Sequence, residues 1–156
     1  MSFSNQIAKH FIGVHFGGNW TDVNLKDTLA DISWEDATTK ISDLNTIAVL
    51  VYHINYYVEN VLKVLLGESL TASDKFSFNA PEIKSAEDWQ NLVSKTLRDA
   101  ELFATQIELF DEKKLLNDFT DAKYGNYYRN LHGIIEHTHY HLGQIVLLKK
   151  ILREKK

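Results

Sequence analysis

The sequence predicts an all-α protein, and two observations lead to that prediction. Apolar residues recur every three or four positions in four long segments, which is the spacing of helices buried along one face. The single proline, Pro81, and most of the seven glycines lie between those segments. With no cysteine in the chain, neither disulfides nor thiolate zinc sites can support the fold. Four long helices in 156 residues predict a four-helix bundle, with residues 1–156 forming one domain.

The first helix is predicted to cover about Ser4 to Phe16. It ends where Gly17 and Gly18 can take the left-handed backbone conformation that is needed just past a helix. Residues 19–33 then form a connection to the second helix. Within that connection, a short turn from Leu25 to Ala30 is expected to pack on the bundle.

The second helix is predicted to begin after Ser33, which is a suitable N-cap, and to end at Gly67. Acidic residues in its first turn complement the positive end of the helix dipole. Its apolar residues keep helical spacing for about five turns, and they are Ile47, Leu50, Val51, Ile54, Val58, Val61, Leu62 and Leu65.

The third helix is predicted to follow a polar loop over residues 68–84. Ser85 and Asp88 have the spacing of a capping box, with Asp in place of the usual Glu or Gln. We expect the helix to run from this cap to about Phe110. Its buried stripe is predicted to comprise Trp89, Leu92, Val93, Thr96, Leu97, Ala100, Phe103, Ala104, Ile107 and Phe110.

The last helix is predicted to run from about Asn126 to the basic end of the chain, where cations complement the helix dipole. A second polar connection, which begins at Asp111, precedes it. One face of this helix advances by three and four residues. It comprises Leu131, Ile134, His137, Thr138, His141, Ile145, Leu148 and Leu152.

The charge pattern disfavours two classes of partner. The net charge is −4, and acidic and basic residues are interspersed, so no basic face is available for nucleic acid. A membrane is disfavoured as well, because no run of eighteen apolar residues occurs. The N-terminal residues also lack the basic and apolar regions of a secretory signal, and we expect a cytoplasmic protein.

Two histidines of the last helix indicate a metal site. His137 and His141 lie one turn apart on the predicted buried face, so their imidazoles can reach one ion. Two buried neutral imidazoles would otherwise need four hydrogen-bond partners. An i, i+4 pair of histidines also arises by chance, and spacing and face alone support a metal site and an ordinary buried pair about equally.

A third ligand is available in the second helix, where His53 is framed by apolar residues in VLVYHINYY. It lies on the flank of the apolar stripe and can face a cleft between helices, but it can equally bond a backbone carbonyl. His132 and His139 fall on another face and are interpreted as interface or surface residues. Two further histidines in the first helix, His10 and His15, can approach the mouth of a pocket.

The motifs VYHINYY, YGNYYRN and HGIIEHTHYHLGQIVLLKK, with the early GGNW segment, resemble the DinB/YfiT family of metal-dependent enzymes. In that family, a histidine of the second helix and an H-x-x-x-H pair before Gly-Gln bind a divalent metal. The resemblance covers essentially the whole chain and implies His53, His137 and His141 as ligands. Leu142 departs from the Arg that many members carry before Gly-Gln. The implied topology is an up-down-down-up bundle.

The resemblance also implies a range of functions. We expect a three-His site for a divalent ion, Zn²⁺ or Ni²⁺, in a transferase that uses a low-molecular-weight thiol and acts on a small-molecule substrate. A metal-dependent hydrolase and a non-catalytic module that binds a metal or small molecule are the alternatives, and a metal-free helical interaction protein is a third. Gln144, Tyr57 and Asn55 are candidates for groups that surround the ligands.

A homodimer is expected, because the resemblance implies one and because two helices carry apolar residues beyond one stripe. On the second helix these residues are Ala48, Val49, Val64 and Leu66, and on the last helix they are Ile135, Leu142 and Val146.

Overall fold

The computed structural model of the protein describes residues 2–154, and over this range it is helical without any β-strand. The all-α prediction is therefore confirmed. Within the same range, no helix combines the length and apolar character needed to cross a membrane. The six α-helices are α1 (Phe3–Phe16), α2 (Leu25–Leu29), α3 (Trp34–Thr38), α4 (Ile47–Leu65), α5 (Ala86–Leu109) and α6 (Tyr127–Glu154). Short 3-10 turns at Asp74–Phe76, Glu112–Lys114 and Ala122–Tyr124 lie in the connections.

Side-chain caps define where most of the helices begin. Five N-cap side chains accept a hydrogen bond from the backbone N–H three residues further on, which satisfies one of the free donors of the first turn; they are Ser2, Asn24, Ser33, Thr46 and Ser85. At the other end of α1, Gly17 has a φ of 115° and Gly18 has a φ of 85°. The predicted end of the first helix is thus confirmed, and its physical reason is the positive φ that glycine tolerates.

The prediction of one continuous second helix from Ser33 to Gly67 is wrong. The chain forms the short α3, leaves helical geometry at Thr39, and starts α4 only after Thr46. The hydroxyl of Thr39 accordingly donates to the Glu35 carbonyl at 2.6 Å, and Ser42 has a φ of 48°. Threonine and serine compete for backbone partners in this way, and the new cap at Thr46 restarts the helix.

The four long helices pack so that each one contacts two others. Helix α1 packs against α5 and α6, and α4 packs against the same two helices. The core between them is apolar, and Phe11 and Phe103 meet edge to face in it with their ring centroids 4.7 Å apart. The packing of α4 against α6 brings His53 close to His137 and His141.

Most residues that suggested a dimer face are buried within the chain itself. Ala48, Val64, Ile135 and Leu142 are each less than a tenth exposed, whereas Leu66 is 57% exposed. The short helices also pack on the long ones, with α2 against α6 and α3 against α4. The homodimer stays a prediction, and these four residues no longer support it.

The buried histidine His15 does not approach a pocket. Its side chain is fully buried in α1, where its Nδ1 lies 3.1 Å from the Phe11 carbonyl and its ring centroid lies 4.2 Å from that of Phe11. Burial lowers the pKa of His15 to about 4; the Phe11 hydrogen bond opposes this shift and the charge of His139 adds to it. By contrast, the other histidine of α1, His10, is exposed.

This buried imidazole predicts a loss of stability in acid. The ordinary pKa of 6.5 applies to unfolded His15 and a pKa of about 4 to the folded protein, so below pH 6.5 the unfolded chain binds more protons. Between pH 7 and pH 5, the free energy of unfolding should fall by about 2 kcal/mol through this residue. The His15→Phe variant should lose that part of the pH dependence in urea titrations. If the free energy of unfolding of the variant fell between pH 7 and pH 5 by as much as that of wild type, the lowered pKa of His15 would be contradicted.

Candidate metal centre

Three histidines from two helices converge at the α4–α6 interface. His53 lies in the middle of α4, and His137 and His141 lie on successive turns of α6. The ring centroids are 4.8 Å apart for His53 and His137, 4.6 Å for His53 and His141, and 4.5 Å for the α6 pair. One ring nitrogen from each residue lies within 4.8 Å of the other two, so the group can hold a single metal ion.

Hydrogen bonds on the outer side orient two of the rings. His53 Nδ1 lies 3.0 Å from the Ser77 carbonyl, and His141 Nδ1 lies 2.7 Å from Oε1 of Gln144. Both partners are carbonyl oxygens, which only accept, so each Nδ1 carries the proton and donates. In the neutral form of each ring, the lone pair is therefore on Nε2. This is the outer arrangement that usually accompanies metal-binding histidines.

The third ring, that of His137, faces His53 directly. The two Nε2 atoms are 3.0 Å apart, and two bare nitrogens repel at this distance, so a proton or a cation must lie between them. Ligands at about 2.0–2.1 Å from a tetrahedral Zn²⁺ are about 3.3 Å from one another. The two rings would therefore have to separate by only a few tenths of an ångström to accept an ion.

Burial keeps two of the three imidazoles in the form that binds metals. It lowers the pKa of His137 to about 4, and the neighbouring charges of His141 and His53 act in the same direction. For His53, burial is again the main cause of a lowered pKa, although the hydrogen bond to Ser77 opposes it. Both rings are neutral at pH 7, and a neutral imidazole is the metal ligand.

Aromatic side chains enclose the three histidines. Phe78 stacks on His53 with the ring centroids 3.7 Å apart and an angle of 11° between the planes. The ring of Tyr57 lies roughly perpendicular to those of His53 and His137, with centroid distances of 5.2 and 4.8 Å. Its hydroxyl donates to Asp74 Oδ1 at 2.9 Å. The loop between α4 and α5 therefore supplies both a hydrogen bond and a cover to the cluster.

The surrounding groups agree only partly with the sequence predictions. Gln144 and Tyr57 do contact the cluster, whereas Asn55 bonds Asp99 of α5 at 2.8 Å on another side of α4. Sequence reasoning missed Ser77 and Phe78. A backbone carbonyl carries no sequence signal, and Phe78 lies in a loop where no periodicity indicates its direction.

The other two histidines of α6 do not join the cluster. His132 Nδ1 lies 3.0 Å from the Tyr128 carbonyl on the same helix, and His139 is half-buried on a different face from His137 and His141. Their interpretation as residues outside the metal site agrees with these positions.

A cavity of about 820 Å³ opens beside the cluster and is large enough for a small organic molecule. His137 is the member of the cluster that lines it, together with Tyr57 of α4 and Asp74 of the following loop. Arg129 and Tyr124, which precedes α6, also line it, and Arg129 is eight residues from His137 along α6. A ligand in this cavity would therefore have one end at the histidines.

Comparison of the chain with family models, with curated proteins and with solved structures finds no match. The resemblance to the DinB/YfiT family accordingly stays a prediction from motifs. The case for a metal centre rests on the geometry of the three histidines.

The hydrogen bond from His141 to Gln144 should contribute to metal affinity. Gln144→Leu removes the acceptor that keeps the proton on Nδ1, and we expect the affinity for Zn²⁺ to fall by about 10–100-fold. Gln144→Glu keeps an acceptor and should retain most of the affinity. Competition against a chelating dye measures both values, and equal affinities for wild type and Gln144→Leu would show that this bond does not orient the ligand.

Proposed function

We propose that the protein is a DinB-like metalloenzyme in which His53, His137 and His141 hold a divalent ion, Zn²⁺ or Ni²⁺. The observation that supports this most is the approach of three ring nitrogens to within 4.8 Å, with two of the rings oriented by carbonyl acceptors. Three protein ligands are typical of a catalytic site, because they leave a position for water or substrate, whereas structural zinc is usually closed by four.

We propose in addition the up-down-down-up four-helix bundle that the family resemblance implies. The packing of α1 and of α4 against the third and fourth long helices, α5 and α6, supports this proposal, because each long helix then has two long neighbours. The short α2 and α3 belong to the long connection between the first two helices.

The proposed reaction is the transfer of a low-molecular-weight thiol to an electrophilic small molecule. The chain contains no cysteine, so the thiol has to come from outside. When bound, the divalent ion supplies positive charge that lowers the pKa of a thiol or of water and polarises an electrophile. The histidines act as ligands, Phe78 and Tyr57 shield them from solvent, and the adjoining cavity holds the substrate.

Metal retention tests the ligand set. Protein without a His-tag should contain about one ion per chain, and His137→Ala or His141→Ala should lose it while staying helical, because alanine is a good helix former. His139→Ala is the matched control and should keep the ion. Elemental analysis and circular dichroism measure both properties. Loss of the ion in His139→Ala but not in His141→Ala would mean that the wrong face of α6 was assigned.

The reaction itself is tested with the metal-loaded protein, glutathione or another small thiol, and an aryl chloride. The thiol should replace the chlorine of the aryl chloride, giving a thioether and releasing chloride ion and a proton. This reaction should require the bound metal ion, and it should slow at least about 100-fold in His53→Ala, since that variant loses a metal ligand. Full metal content and activity in His53→Ala would contradict the proposal. Hydrolysis of esters or amides without any thiol reaction would favour the hydrolase, and no reaction across a broad panel would favour a binding module.

A further inference from the structure

We propose that Arg129 binds a carboxylate at the end of the cavity away from the histidines. The preferred ligand is then an elongated molecule with an acidic group at one end, an apolar middle and its reactive group at the other end. This inference rests on the proposed function only for the location of the reactive group.

The position of the Arg129 side chain is built into the turn before α6. Its Nη1 donates to the Tyr124 carbonyl at 3.0 Å, and its backbone N–H donates to Asn126 Oδ1 at 2.9 Å. Gly125 has a φ of 76°, and a Cβ at that position would lie 3.0 Å from Arg129 Cδ. Glycine therefore permits both the turn and the close approach of the arginine, and the hydrogen bond to Tyr124 favours this position of the exposed guanidinium.

Arg129 has no acidic partner in the part of the chain that the structure describes. Arg153, by comparison, forms an ion pair with Asp31. The single carbonyl contact of Arg129 uses one of five N–H donors, and the planar guanidinium matches the two oxygens of a carboxylate. Arg129 lines the cavity, has no acidic partner among the described residues and uses one of its five N–H donors, so it is suited to an anionic ligand.

The charges that line the cavity are separated. Asp74 bonds Tyr57, whose ring contacts His137, and Glu136 precedes His137 in the chain, so both carboxylates belong to the histidine end. Arg129 lies eight residues before His137 on α6, which corresponds to about 12 Å along the helix axis. The two carboxylates at the histidine end would repel a ligand carboxylate, and Arg129 at the other end would attract it. The ligand would therefore bind with its carboxylate toward Arg129.

Part of the cavity wall is apolar. Val61 and Ile134 are buried core residues that contribute to this wall, and Leu70 adds a partly buried side chain from the loop. An alkyl or aromatic segment would therefore gain free energy by leaving water there. Together with the spacing of the charged ends, this favours a carboxylate roughly 10–12 Å from the reactive group.

Two thiols of equal length test the inference. Bonds of about 1.5 Å give 8-mercaptooctanoate an extended length of about 10 Å, and 8-mercapto-1-octanol has the same length without the charge. Binding to the Co²⁺-loaded protein is followed by the charge-transfer absorption of sulfur on cobalt. The acid should bind at least about tenfold more tightly than the alcohol, because a charged hydrogen bond to Arg129 is added.

Substitutions assign that preference to the arginine. Arg129→Met should remove it, whereas Arg98→Met, which removes an exposed arginine of α5 outside the cavity, should leave it unchanged. The short acid 3-mercaptopropionate should not respond to Arg129→Met, because it cannot span the cavity. Equal binding of acid and alcohol by wild type, or an unchanged preference in Arg129→Met, would overturn the inference.

A separate measurement keeps the inference distinct from the proposed metal site. If Co²⁺ does not bind or no thiol gives the absorption, the proposed function fails. Calorimetric titration of octanoate into the protein without added metal then decides the inference alone. Binding that is lost in Arg129→Met and kept in Arg98→Met supports it, and any other result overturns it.

Discussion

The contact between His53 and His137 across the α4–α6 interface is the constraint around which this region is arranged. Two nitrogens 3.0 Å apart are compatible only with a shared proton or a shared cation. Polar groups taken out of water destabilise the folded state unless they find partners, and here the partners come from separate parts of the chain. Ser77 of the loop after α4 bonds one ring, and Gln144 of α6 bonds the third member of the cluster.

Polar contacts on two sides of α4 also determine the rotation of that helix about its axis. His53 and Asn55 are two residues apart, which places them about 200° apart around the helix. His53 bonds the loop carbonyl of Ser77, and Asn55 bonds Asp99 of α5, which is also paired with Lys95. Rotating α4 to improve one contact would break the other, and an unpaired buried polar group costs about 1–3 kcal/mol. The His53 ring is therefore held in the direction that the cluster requires.

Periodicity and capping predicted more of the fold than of the site. The third and fourth long helices lie within a residue or two of their predicted limits, because Ser85 caps one and the apolar stripe of the other is unbroken. The break before Thr46 was missed, since local hydroxyl bonds there outweigh a helical tendency. His137 and His141 share a helix, so their spacing was sufficient to pair them. Bringing His53 to them depends on how α4 and α6 pack, which spacing within one helix does not contain.

A crystal structure of the Zn²⁺-loaded protein would show whether the three imidazoles hold one ion through their Nε2 atoms. Diffraction data collected on both sides of the zinc absorption edge locate the metal without reference to the protein atoms. We expect one anomalous peak at the α4–α6 interface, about 2.0–2.1 Å from Nε2 of His53, His137 and His141. A zinc peak elsewhere, or an ion held by carboxylates with these three rings still in mutual contact, would contradict it.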